Sequence, residues 1–211
     1  PARILTDVYL VNNEPNHTYL IDAGKDGLVL VDPGLSMNAD SIRAKITQLG
    51  FSPKNVRWVI NTHAHFDHSM ADAEFRKGGA QILIGEADAS AVEKGTEVTQ
   101  LVLFFPGQDF PATTVDRRLS DGETLKLGNK VFHVIHTPGH TPGSSNFYLQ
   151  VDGRNVLFSG DTLLYDNRLA FQGHSYANPR QYLESLKKLN DFRIDFRVPL
   201  ANTLENWATL Q

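Results

Sequence analysis

Thr62-His63-Ala64-His65-Phe66-Asp67-His68 decides the reading of this 211-residue chain. With eight histidines in the whole sequence, an H-x-H-x-D-H string arises by chance in about one such chain per thousand. Side chains two apart in extended backbone point the same way, so His63 and His65 can approach one metal ion together. A helix beginning near Ser69 and ending at Gly78-Gly79 would turn the chain after His65 and aim Asp67 and His68 at a neighbouring point. Imidazole and carboxylate without thiolate suit zinc, manganese or iron. The chain has no cysteine, which excludes a disulfide framework, a thiolate nucleophile and an iron–sulfur cluster.

Two later segments can complete such a site. Thr137-Pro138-Gly139-His140-Thr141-Pro142-Gly143 sets a histidine in a rigid turn directly after a strand. Phe158-Ser159-Gly160-Asp161 sets a carboxylate at a strand end, where it could bridge two ions. Glycine beside each ligand lets backbone approach closely.

Around these motifs the pattern predicts strands at Val8–Val11, Thr18–Ile21, Leu28–Val31, Val56–Ile60, Ile82–Ile84, Leu125–Leu127, Val131–Ile135, Asn146–Val151, Val156–Phe158 and Ile194–Pro199. Helical spacing predicts Met37–Leu49, Glu86–Lys94 and Pro179–Leu189, the last with Tyr182, Leu183, Leu186 and Leu189 on one face. Gly95 to Thr114 reads as a loop rich in aromatics, either a substrate wall or a segment pinned to the core. Strands and helices mixed in both halves suit two sheets packed face to face with helices outside.

Composition sets the outer limits. Hydrophobic residues make up 41% and charged residues 21%, an ordinary globular balance. Twenty-four acids against 20 bases leave a net charge of −4, which argues against a nucleic-acid partner. The apolar runs are far shorter than the ~20 residues that span a bilayer, so no membrane-spanning helix is expected. The expected partner is a small-molecule substrate. The cysteine count does not locate the chain; the expectation leans to the cytoplasm, with a removed leader ahead of Pro1 left open.

The H-x-H-x-D-H string, the TPGHTPGS turn and the Ser159-Gly160-Asp161 strand end resemble the metallo-β-lactamase superfamily in order and spacing, from about residue 3 to residue 199. That resemblance implies an α+β fold, a four-layer αβ/βα sandwich, as one domain over 1–211. It implies a first metal held by His63, His65 and His140, a second served by Asp67 and His68, and Asp161 bridging the two. The implied cofactor is zinc, one or two per chain, with iron(II) or manganese(II) as alternatives. The implied chemistry is hydrolysis of an ester, thioester, lactone or amide by metal-bound hydroxide, with Asp67 orienting the hydroxide or accepting its proton. Aspartate at 161 resembles the glyoxalase II and lactonase-like branches; true β-lactamases carry cysteine or serine there, so any β-lactamase activity is expected to be weak.

One ligand departs from the family pattern. Ala201 stands where the resemblance places the last histidine, and no histidine follows His174. The second site is therefore expected to be weakened, or filled by water, Asn202 or His174. Two alternatives accompany the hydrolase: an iron persulfide-dioxygenase-like enzyme using His63, His140 and Asp161, and a decayed member that binds metal without turnover. His133 and His136 read as structural, His17 as a hydrogen-bonding residue at a strand start. Asp32, ahead of Pro33-Gly34, reads as support for a metal ligand from behind.

Overall fold

Leu28-Val29-Leu30-Val31 forms strand β4, and all four side chains are buried because this strand has a core on each face. Val29 and Val31 join one apolar cluster, Leu28 and Leu30 the other, as the two-residue repeat of a strand requires. A computed structural model describes residues 1–13, 16–164 and 169–199.

The first sheet runs in chain order through β1 (Ala2–Leu5), β2 (Val8–Asn12), β3 (Thr18–Asp22), β4 (Leu28–Val31), β5 (Val56–Asn61), β6 (Gln81–Gly85) and β7 (Arg117–Leu119). Hairpins make β1 to β4 antiparallel, and crossovers make β4 to β7 parallel. The second sheet comprises β8 (Thr124–Leu127), β9 (Lys130–His136), β10 (Ser145–Val151), β11 (Arg154–Gly160) and β12 (Phe196–Pro199), with spatial order β12-β11-β10-β9-β8. Only β12 is parallel to its neighbour in that sheet, among the described residues.

Between the sheets lie Val29, Val31, Ile60 and Leu83 from one side and Phe132, Val134, Phe147, Leu149 and Phe158 from the other. Outside the first sheet, α1 (Ala39–Gln48) buries Ile42 and Ile46, and α3 (Asp72–Lys77) and α4 (Glu86–Lys94) bury Phe75, Ala89 and Val92. Outside the second, α6 (Pro179–Leu189) sets Leu189 against Ile135 and Leu157. Helix, sheet, sheet and helix make the four layers of an α+β sandwich. Truncating one inner aromatic such as Phe158 to alanine would cost about 3–5 kcal/mol.

Three local expectations are corrected. Ser69 does not cap a helix: α2 (Phe66–Ser69) starts three residues earlier, with His65 as its N-cap, and Ser69 is its last residue. The Ser69 hydroxyl instead donates back to the carbonyls of Ala64 and His65 at 3.0 and 3.1 Å. Leu183 does not face the core; it is exposed, and Ser185 takes the inner face, its hydroxyl donating to Pro138 O at 2.8 Å. That bond ties α6 to the turn carrying His140. Strands β1 and β7 were not expected; β7 is three residues at a sheet edge, two of them exposed arginines.

The aromatic loop divides its roles. Phe110 is buried beneath Gly95, which has a φ of +63° and little room for a side chain there, the Phe110 Cβ lying 3.0 Å from where its own would be. Val102 to Phe105, on and after the short α5 (Leu101–Phe104), stay largely exposed.

Both sheets deliver their strand ends to one edge. Asp32 follows β4, Thr62 to His65 follow β5, the 137–144 turn follows β9, and Asp161 follows β11. Carboxyl ends of parallel strands are where open α/β sheets place their ligands.

Candidate metal centre

His63, His65 and His140 converge, with one ring nitrogen from each inside a common 4.8 Å separation, and all three are buried. Their ring centroids lie 4.5–4.7 Å apart. His68 joins them, 4.1 Å from His63 ring to ring. Four imidazoles packed this closely have no apolar reason to associate.

Each ring is oriented by the nitrogen that faces away from the cluster. The Nδ1–H of His140 donates to the carbonyl of Ala170, leaving Nε2 as the lone-pair nitrogen 3.0 Å from His65 Nδ1. His65 Nε2 pairs with the Tyr176 hydroxyl at 3.1 Å, and His63 Nδ1 with the Thr62 hydroxyl at 3.1 Å. The Nδ1–H of His68 donates to Asp32 Oδ2 at 2.7 Å. Asp32 also accepts from the Thr62 amide (2.7 Å) and hydroxyl (2.5 Å), so both its oxygens are engaged behind the site, as expected of a supporting carboxylate. Its φ is +47°, a region aspartate tolerates better than most residues.

The carboxylates face the open side. Asp161 sits 3.3 Å from His68 Nε2 and 3.4 Å from His140 Nε2. Asp67 lies 3.9 Å from His68 Nε2, and its own Oδ2 accepts from Asn16 Nδ2 at 2.7 Å. All six residues expected from the sequence are thus gathered at one place. His63 Nε2, His68 Nε2 and Asp161 Oδ1 are buried without a properly aligned hydrogen bond. Buried polar atoms are normally satisfied, so three bare ligand atoms aimed into one basin fit a cation.

Electrostatics agrees with that fit. Burial pushes His63, His65 and His140 below the ordinary imidazole value, and crowding by neighbouring imidazoles adds to the shift at His63 and His65. These three are neutral at pH 7, the form that ligates metal. Burial alone would lower His68 too, but Asp161, Asp67 and Asp32 around it hold it well above its usual value. Asp161 moves the opposite way: burial would raise it, and the facing His68 pulls it below the carboxylate range. Three carboxylates, Asp32, Asp67 and Asp161, surround this one imidazole, an arrangement that favours a cation in the basin.

Several positioning residues carried no motif. Tyr182 is one: its hydroxyl reaches the carbonyls of Asp161 and Thr162 (3.0 and 2.8 Å) and accepts from the Ala170 amide at 3.0 Å. It binds the strand end bearing Asp161 to the segment that fixes His140. The sequence placed Tyr182 only as a helix-face residue. Asp88, at the third position of α4, is another; its lone charge amid Ala87, Ala89 and Ala91 was the one available signal. Tyr176 and Gln100 complete the rim: Gln100 Nε2 donates to Gln172, and Tyr176 closes on His65.

The remaining histidines lie elsewhere. His133 and His136 are on β9, outside the cluster. His174 stacks on Tyr176, with centroids 5.4 Å apart, and pairs with Gln172 at 3.2 Å. Ala201 and Asn202, where the last ligand was looked for, lie outside the described residues.

Comparison with known proteins gives a consistent picture. A probable metallo-hydrolase of Burkholderia pseudomallei is 32% identical over 195 residues, covering 81% of this chain and 62% of that protein. A hydroxyacylglutathione hydrolase of Anaeromyxobacter dehalogenans is 34% identical over 151 residues, covering 71% of this chain and 47% of that one. The chain thus spans about half to two thirds the length of these curated relatives. The crystal structure of a subclass B3 metallo-β-lactamase of Bradyrhizobium japonicum superposes with a TM-score of 0.80 at 27% identity, over 94% of this chain and 76% of that one. The model of the metallo-beta-lactamase superfamily matches residues 11–201. With its fold, its strand-end histidines and that match in agreement, the chain belongs to the metallo-beta-lactamase superfamily.

Proposed function

We propose that this protein is a metal-dependent hydrolase that opens an ester, thioester, lactone or amide bearing an apolar group. The observation that carries the reading is the basin of neutral His63, His65 and His140 beside His68 and Asp161, with bare ligand atoms facing inward. His63, His65 and His140 would hold one ion, with Asp67, His68 and Asp161 serving a second. The donor set suits zinc, and with no histidine after His174 in the sequence the second position is the weaker one. When bound, such an ion supplies Lewis acidity, polarising the scissile carbonyl and making water acidic near neutral pH.

The chain's own groups do the rest. Asp67 is partly exposed on the open side and anchored by Asn16, so it can orient the attacking water and take its proton. Tyr176 and Asp32 hold His65 and His68 in fixed orientations, which reduces reorganisation during the reaction.

The rim supports an apolar substrate. Phe66, between two ligands, packs against Phe104 and Phe105 at 5.9 and 5.6 Å. In sequence, exposed Leu169 and Phe171 flank Ala170, whose carbonyl orients His140. Exposed aromatics beside a polar basin suit an acyl chain or ring lying next to a carbonyl.

The test is a panel of nitrophenyl esters, a thioester and lactones of rising acyl length, offered to metal-loaded and chelator-treated protein. Turnover that depends on metal and improves with acyl length is expected. No turnover of any member with zinc, manganese or iron loaded would refute the reading.

A further inference from the structure

We propose that Asp88 is the positioning residue that sets the spacing between the two ligand-bearing loops, and through it the strength and geometry of the three-histidine site. The proposal rests on His63, His65 and His140 being metal ligands. Asp88 itself touches no ligand and belongs to α4, which carries none.

The carboxylate of Asp88 is fully buried and takes three hydrogen bonds. Oδ2 accepts from the Ala64 amide at 3.0 Å and from the Thr141 hydroxyl at 2.7 Å, and Oδ1 accepts from the Gly143 amide at 2.6 Å. Ala64 is the residue between His63 and His65; Thr141 and Gly143 follow His140. One carboxylate therefore grips both ligand loops, on either side of the 3.0 Å approach of His140 Nε2 to His65 Nδ1.

Packing leaves these loops no slack. A Cβ on Gly143 would lie 2.4 Å from the Asp88 amide nitrogen, and one on Gly85 would lie 2.1 Å from Gly143 O. Both positions must be glycine for α4 to seat against the turn. A carboxylate at the third position of a helix commonly turns back to cap its own first turn. Here the helix, with Gly85 as its N-cap, has no side-chain cap bond, and the charge is spent across the fold instead. Burial pushes the carboxyl up to about 6, a cost accepted in exchange for the three-way grip.

The test is cobalt(II) titration of chelator-treated protein, followed by visible absorption, for wild type, Asp88→Asn and Leu127→Ala. Leu127 is buried on β8, opposite Lys130 at the start of β9, whereas the 137–144 turn follows the other end of that strand, and it serves as a control for general loss of stability. Asp88→Asn keeps the shape but places an amino group against donors. The first cobalt should bind at least about tenfold more weakly, with displaced d–d bands, as for other supports of metal ligands. Leu127→Ala should keep wild-type affinity and bands.

Wild-type affinity and bands in Asp88→Asn would overturn the proposal, as would an equal loss in Leu127→Ala. Should Asp88→Asn fail to fold, Asp88→Glu takes its place, since it keeps the charge and shifts the carboxylate by one methylene; unchanged bands there overturn the proposal too. Failure of wild type to take up cobalt would overturn the metal-ligand reading and this proposal together.

Discussion

Replacing Asp32 with asparagine tests how the site is built from behind. Asp32 is fully buried and accepts three hydrogen bonds, from His68 Nδ1–H, the Thr62 hydroxyl and the Thr62 amide. Asparagine keeps one acceptor oxygen, which the backbone amide of Thr62 can use. Its amino group then faces His68 and the Thr62 hydroxyl. The hydroxyl can rotate to accept, but His68 can accept only by moving its proton from Nδ1 to Nε2. Nε2 is the nitrogen that faces Asp161 and Asp67, so the substitution removes the lone pair a metal would use. Losing one hydrogen bond to a charged group costs about 1.5–3 kcal/mol. In a chain of this size that lowers Tm by about 3–12 °C. Metal affinity on the His68 side should fall about 10–100-fold. Calorimetry with and without chelator, beside a zinc titration, reads both quantities. An Asp32→Asn protein with wild-type zinc affinity at both positions would refute the reasoning, because it would show that Asp32 does not set the His68 tautomer.

Three further outcomes are expected. Asp67→Asn should lower kcat by about 10²–10⁴-fold while Tm moves little, since the side chain is partly exposed and Asn16 can still donate to it; stopped-flow hydrolysis and a melt separate the two effects. The double variant Phe104→Ala/Phe105→Ala should raise KM for long acyl substrates about tenfold or more and leave an acetyl ester nearly unchanged, since each buried methylene contributes about 0.8 kcal/mol; equal effects on both substrates would remove the apolar wall. Chelator-treated protein should lose stability as pH falls below the unfolded histidine value. His63, His65 and His140 have folded pKa values below it, so the unfolded chain binds more protons there, at up to about 1.4 kcal/mol per histidine for each pH unit below ~6.5. His68 does not offset this fall, because its raised value contributes stability that is already complete below ~6.5 and is lost only as pH rises. Urea melts between pH 7.5 and 5.5 check the slope.

The legible parts were those with local causes. Val29 and Val31 alternate with Leu28 and Leu30 in a period set by backbone pleat alone, so the strand could be read without its neighbours. Helix α4 matches its expected bounds, from Glu86 to the residue before Gly95, which takes a left-handed φ at the helix end. The ligands were legible because metal binding demands particular side chains at narrow spacing. Leu183 does not reach the core because it stands about 100° around the helix from Tyr182, whereas the buried face of α6 carries Tyr182, Ser185 and Leu189. The start of α2 was misplaced because its N-cap, His65, has no side-chain cap bond; its chemistry belongs to the metal site. Asp88, Tyr176 and Tyr182 were missed for one reason. Each acts through contacts distant in sequence: Asp88 reaches Thr141 across 53 residues and Tyr176 reaches His65 across 111, both joining the ends of the two sheets, while Tyr182 reaches back 12 to 21 residues to the strand end that carries Asp161.

The most direct measurement of the central claim is elemental analysis of folded protein purified without chelator. The account predicts at least about one tightly held divalent ion per chain, zinc first in expectation, released when His140 is replaced by alanine. Folded protein that carries no metal, and takes none up from zinc, manganese or iron, would contradict it.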